Sequence, residues 1–384
     1  MESPAGSGQR LIINKQAFAD LLSVLRGEGY ELCGPTARDG AIVYDRIDGI
    51  EDLPEGKSDE QAPGHYRLKD RNDGALFGYA VGPHSYKREF LVPSVTLFKI
   101  RKGPKGPAIE MPSPPQRKIA LIGARACEIA ALAIQDKVLS GGLHTDADYT
   151  ARRANTFVLA VHCADPAGTC FCVSMNTGPR AREGYDIALT ELAEAKHRFV
   201  VDIGSPLGAQ MISKIQSEKC PENDNKAADA RIENAAQRMG RTLNTDGIKE
   251  LFYENIESPR WEAIAQKCIG CANCTMVCPT CFCTTVEDTT SLDGNEAERT
   301  RKWDSCFTMP YSHIHGGSVR TSLGARYRQW ISHKLANWID QFGSSGCVGC
   351  GRCITFCPVG IDITAETAAL SAAQAKRAPE RTAK

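Results

Sequence analysis

The sequence predicts an α/β region over residues 1–225 and a cysteine-built module near the C-terminus. Two observations carry this reading. In the first part, short apolar strand patterns alternate with helical ones, which favours helices packed on a sheet. In the last third, eleven of the seventeen cysteines fall between Cys268 and Cys357 and form two copies of one run. The copies are Cys268-x2-Cys271-x2-Cys274-x3-Cys278-Pro279 and Cys347-x2-Cys350-x2-Cys353-x3-Cys357-Pro358. Each is the ferredoxin-like run that holds a [4Fe–4S] cluster, so the C-terminal module is a two-cluster one.

The elements follow in order. Ala17–Arg26 has a short helical pattern and Ala41–Tyr44 a strand pattern. Arg101–Gln116, rich in Lys, Gly and Pro, predicts an exposed loop. Ile119–Gly123 is an apolar strand with the helix Glu128–Leu139 behind it, and Thr156–His162 and Arg198–Ile203 are further strands. Residues 226–267 read as a polar helical bridge, and residues 268–367 as the dicluster module. That module carries an insertion at 284–346, acidic at first and then basic and aromatic, which predicts a helix and loop wrapped over the clusters. There, Arg and Lys would offset the charge of thiolate-bound iron. Residues 368–384 predict a disordered tail.

The ferredoxin rule assigns ligands. Three cysteines of a run hold one cluster, and the fourth, before proline, crosses to the other. One cluster then takes Cys268, Cys271, Cys274 and Cys357; the other takes Cys347, Cys350, Cys353 and Cys278. Zinc ribbons use two separated pairs rather than four cysteines in eleven residues, and a disulfide framework suits short secreted chains. Seventeen cysteines with no apolar leader at Met1–Gln9 point to a reducing, cytoplasmic compartment. Lys plus Arg equals Asp plus Glu, 46 each, giving no global field toward nucleic acid, and no apolar stretch is long enough for a membrane span.

Nine cysteines remain. Cys163, Cys170 and Cys172, with Cys127 or Asp165, are candidates for a third metal site, with buried small side chains as the alternative. Cys281, Cys283 and Cys306 are expected to line the wall of the first cluster, while Cys33 and Cys220 have no metal-like spacing. His313 and His315 read as a surface pair. Gly123–Glu128 sits between strand and helix but lacks the Gly-x-Gly-x-x-Gly series, and no Gly-Lys-Ser/Thr loop is present. Electron relays are therefore legible, and a flavin, nicotinamide or substrate site is not.

The stretch from Cys268 through Cys283, then Arg301–Cys306, Arg326–Arg328, His333-Lys334 and Cys347–Cys353, resembles the beta subunit of cytoplasmic sulfhydrogenases. Ile122–Glu128, Thr169–Cys172 and Gly184–Asp186 extend the likeness into the first half. The hallmark Arg-Pro-Cys-Asp of that family stands here as Arg125-Ala126-Cys127-Glu128. The pattern is also closely similar to that of the iron–sulfur, electron-input component of anaerobic sulfite reductase. The resemblance implies a non-catalytic iron–sulfur subunit of a heterotetrameric [NiFe] hydrogenase. It would relay single electrons between a flavin and NAD(P)-binding subunit and the hydrogenase small and large subunits. The alternatives are the electron-input subunit of an anaerobic sulfite reductase and, from another class, a zinc-dependent nucleic-acid-binding protein.

Overall fold

The computed structural model describes residues 10–194 and 196–381, the last five by their backbone. Its strands run in chain order as β1 (Leu11–Asn14), β2 (Tyr30–Arg38) and β3 (Ala41–Arg46), then the hairpins β4 (Lys57–Ala62) with β5 (His65–Asp70) and β6 (Ser94–Gly103) with β7 (Gly106–Glu110). There follow β8 (Lys118–Ala124), β9 (Thr156–Val161), β10 (Ile187–Leu192), β11 (Arg198–Ile203) and β12 (Glu218–Lys219), and far later β13 (Thr284–Thr290) and β14 (Glu296–Trp303).

Eight strands form one mixed sheet in the order β12-β1-β11-β10-β9-β8-β2-β3. The central β2, β8, β9 and β10 are mutually parallel, with antiparallel strands outside them. Parallel strands covered on both faces read as continuous apolar runs, which is why 119–122, 157–161 and 187–189 are so hydrophobic. Alternate residues divide between two cores. Ala120, Ile122, Phe157, Leu159, Ile187 and Leu189 pack with Phe18, Leu21 and Leu25 of the helix Lys15–Gly27. Ile119, Leu121, Val158, Ala160 and Ala188 pack with Ile129 and Leu132 of the helix Ala126–Leu139.

That second helix leaves the carboxyl end of β8 directly, so Cys127 and Glu128 stand in its first turn, beside the end of the parallel strands. The residues expected to form a polar helical bridge, 226–267, carry the helices Glu222–Gln237, Ile248–Glu254 and Arg260–Ala265, the first of which starts four residues before that stretch. A second large core gathers Phe252, Trp261, Phe307, Tyr327, Trp330, Leu335 and Leu370, with Cys268, Cys274, Cys347, Cys353 and Cys357 packed against it. Among the described residues no helix is long and apolar enough to cross a membrane.

Three expectations need correction. Residues 101–116 are exposed, but their first half is strand: β6 and β7 turn at Gly103–Gly106. The insertion opens with the hairpin β13–β14, and β14 pairs antiparallel with β6, making the four-stranded sheet β13-β14-β6-β7. The β13–β14 hairpin is polar, and its place in a sheet comes from pairing with β6, a contact about two hundred residues distant that local pattern does not reveal. Residues 368–381 belong to the helix Ile363–Arg381, not to a disordered tail. Asp362 caps its start by accepting from the Thr364 and Ala365 amides, and Leu370, 1% exposed, anchors it on the second core. Residues 382–384 lie outside the described residues.

Candidate metal centre

The two cysteine runs adopt the same backbone. Gly270 (φ +67°) and Ala272 (φ +65°) are left-handed in the first, Gly349 (φ +65°) and Gly351 (φ +76°) in the second. A single helical turn follows each, Asn273–Met276 and Arg352–Thr355. These turns aim the Gly270 amide at Cys268 Sγ and the Gly349 amide at Cys347 Sγ, both at 3.4 Å. The Ile361 amide donates to Cys357 Sγ at 3.3 Å. Amide donors to sulfur favour the thiolate and tune a bound cluster.

The sulfurs then gather by tertiary contact. One cavity of about 450 Å³ is lined by Cys268, Cys271, Cys274 and Cys357, with Phe307, Tyr327 and Trp330 as walls. A second, of about 330 Å³, is lined by Cys278, Cys347, Cys350 and Cys353. Cys353 and Ile363 border both, so the two spaces are neighbours. Among the described residues no three His, Cys, Asp or Glu side chains stand close enough to share a single metal ion. Each set of four cysteines lines one shared space, the arrangement that a cube of iron and sulfide requires. Burial pushes the Cys347 thiol up to about 12, so a free thiol there would stay protonated, and coordination is what would make it a ligand.

The charges around the second cavity are specific. Lys334 is 5% exposed, and its Nζ lies 3.2 Å from Cys278 Sγ and 3.0 Å from Thr280 Oγ1. Burial works against the ammonium, but the neighbouring sulfurs, Cys278 first and then Cys281 and Cys347, outweigh it and raise Lys334 well above its ordinary value. A hydrogen bond with Cys281, more than Lys334, lowers the Cys278 thiol well below its ordinary value. Arg352, between Cys350 and Cys353, is fully buried and forms an ion pair of 2.5 Å with Glu128, itself 1% exposed. Arg352 also donates to the carbonyls of Gly82 (2.7 Å) and His84 (2.8 Å), and Glu128 accepts from the Tyr86 amide at 3.0 Å. The second run is thus bolted to the sheet region. Nothing local in the sequence announces this pair, because its partners are more than two hundred positions apart.

Cys281, Cys283 and Cys306 line a separate space of about 1210 Å³ with Tyr311, His333 and Lys334, and none of them borders the first cavity. The Cys281 thiol donates a hydrogen bond to Cys278, which borders the second cavity, and the Cys306 thiol to Cys283. Trp330 lines both spaces, so these three cysteines, expected at the wall of the first cluster, adjoin it only through that side chain, with Cys281 and Cys306 packed on the same core as Cys268 and Cys274. Cys127, Cys163, Cys170 and Cys172 line one cavity together; Asp165 instead pairs with Arg71 at 3.1 Å. Cys33 and Cys220 are buried singly, and His313 and His315 are exposed. Part of the basic and aromatic stretch of the insertion is internal. Arg326, Tyr327 and Trp330 are buried, and Trp303 Nε1 donates to the Leu91 carbonyl, while Arg299 and Lys302 stay partly exposed in ion pairs with Asp288 and Glu287.

Comparison with known proteins agrees with this geometry. Residues 267–361 match the family described as a 4Fe-4S dicluster domain. No solved structure matches the chain. Over 279 residues, 72% of this chain and 79% of the relative, it is 34% identical to sulfhydrogenase 2 subunit beta of Pyrococcus furiosus. An iron–sulfur domain with two thiol-lined cavities, set in a chain alike over most of its length, places this protein in the sulfhydrogenase beta-subunit family.

Proposed function

We propose that the chain is the electron-relay subunit of a [NiFe] hydrogenase complex. It stands between a subunit that binds flavin and NAD(P) and the hydrogenase small and large subunits, in the cytoplasm. Cys268, Cys271, Cys274 and Cys357 would hold one [4Fe–4S] cluster; Cys278, Cys347, Cys350 and Cys353 would hold the other. The observation that carries the reading is the pair of adjacent four-cysteine cavities that share Cys353 as a wall. Such a cluster, when bound, accepts and gives one electron at a time, which divides a two-electron hydride into single transfers.

The chain's own residues set the conditions for that traffic. Gly270, Gly349 and Ile361 aim amides at ligand sulfurs. Tyr327 and Trp330 keep the wall of the first cavity dry, and Lys334 balances negative charge at the second. Cys271 is exposed and Ile269 beside it is 62% exposed, so the first cavity is the natural point of exchange with a partner subunit.

Cys271→Ser in the assembled complex tests this. NAD(P)-coupled hydrogen turnover should fall by at least tenfold, while hydrogenase activity with an artificial dye acceptor stays within twofold of the unsubstituted complex. Undiminished coupled turnover, or purification without a nickel-containing partner, overturns the proposal.

A further inference from the structure

Four cysteines outside the paired runs meet at one place. Cys127 opens the helix after β8, Cys163 follows the end of β9, and Cys170 and Cys172 lie on the loop beyond it. They converge on a cavity of about 360 Å³, close in size to the one lined by Cys278, Cys347, Cys350 and Cys353. The remaining lining is mostly small and apolar, with Ala80, Val81, Pro166 and Met239, and adds one buried cation, Arg125, which donates to the Phe77 and Tyr79 carbonyls. This position, at the carboxyl ends of parallel strands, is where open α/β sheets bind their ligands.

The cavity is also in line with the other two. Cys353 borders the first and second cavities, and Cys350 borders the second and this one. The contact is tight. The Phe171 amide donates to the Gly349 carbonyl at 2.8 Å, and Thr169 and Thr355 hydroxyls meet at 2.7 Å. A Cβ on Gly349 would lie 2.6 Å from the Phe171 carbonyl oxygen, so this left-handed glycine lets the two loops touch. Packing alone would not require four thiols around one space, since alanine or valine fills such a wall as well.

We infer that Cys127, Cys163, Cys170 and Cys172 bind a third [4Fe–4S] cluster, which extends the relay from the paired runs into the sheet region. The inference rests on the two-cluster reading above and adds one site at its inner end. An electron arriving there from the second cluster would leave that cluster oxidised by one and the third reduced by one, with no proton or bond change.

The test is iron, acid-labile sulfide and zinc content of the full chain, purified and reconstituted without oxygen, with Mössbauer spectra for cluster type. About twelve iron and twelve sulfide per chain are expected, four of each per cluster. The double substitution Cys163→Ala and Cys172→Ala, which keeps the wall small and apolar, should lower both to about eight; Cys220→Ser should leave both unchanged. Eight iron in the unsubstituted chain, zinc in place of the third cluster, or twelve iron retained by the double variant would overturn the inference. Should the double variant fail to fold, the count in the unsubstituted chain decides alone, since eight ligand cysteines cannot house twelve irons. Fewer than eight iron would remove the two-cluster reading as well.

Discussion

The two cysteine runs share one local structure and live in different surroundings. Gly270 and Gly349 have φ of +67° and +65°, and Ala272 and Gly351 have φ of +65° and +76°, so the turns correspond residue for residue. Yet the first run leaves Cys271 exposed at the surface, while Cys350, its counterpart, is 8% exposed. The residue after the second left-handed position differs most. In the first run it is Asn273, which donates to the Phe356 carbonyl; in the second it is Arg352, sealed in an ion pair with Glu128. Spacing sets how a run turns, and the packed neighbours set what it faces.

That contrast can be broken by substitution. The largest effect belongs to the buried pair. Arg352→Met leaves the buried Glu128 carboxyl without its ion-pair partner, at a cost of about 3–5 kcal/mol, whereas Asn273→Ala should cost about 1 kcal/mol. Guanidinium denaturation under anaerobic conditions reads the difference; equal losses would mean that Arg352 is not what fixes the second run. Next come the left-handed positions. A Cβ on Gly351 would lie 2.4 Å from the Thr169 carbonyl oxygen, so Gly351→Ala combines overpacking with backbone strain and should cost about 2–4 kcal/mol. The reverse change in the first run, Ala272→Gly, relieves strain and should gain no more than about 1 kcal/mol. Destabilisation by both would deny the equivalence of the two turns.

The electrostatic effect is smaller in energy and more selective. Lys334→Met removes a positive charge 3.2 Å from Cys278 Sγ, so the reduced, more negative state of the second site loses stabilisation. Its potential should fall by about 60 mV, equivalent to about 1.4 kcal/mol for one electron, with the first site unmoved. A redox titration followed by electron paramagnetic resonance would show it; an equal shift in both sites would make Lys334 a general rather than a local influence.

Much of the candidate site is legible in sequence because a run such as Cys347–Cys357 encodes its own turn. Spacing of two residues, with glycine where φ must be positive, is information carried within eleven positions. The strands β8, β9 and β11 are legible for a related reason, as burial on both faces demands an unbroken apolar run. The hairpin β13–β14 is not, since its polar strands join a sheet by finding β6 across the chain. Nor is the terminal helix, whose Ala-rich, charged sequence becomes fixed when Leu370 reaches the second core.

By itself, then, the sequence determined the chemistry: eight cysteines in two iron–sulfur runs and an α/β region ahead of them. Only the tertiary structure decided that Lys334 stands beside Cys278, that Arg352 pairs with Glu128, and that Cys127 rather than Asp165 completes a further group of thiols with Cys163, Cys170 and Cys172. The physical reason is range. Turn geometry is set by neighbours a few bonds away, whereas burial, charge and convergence are set by whichever distant segments the packed core brings together.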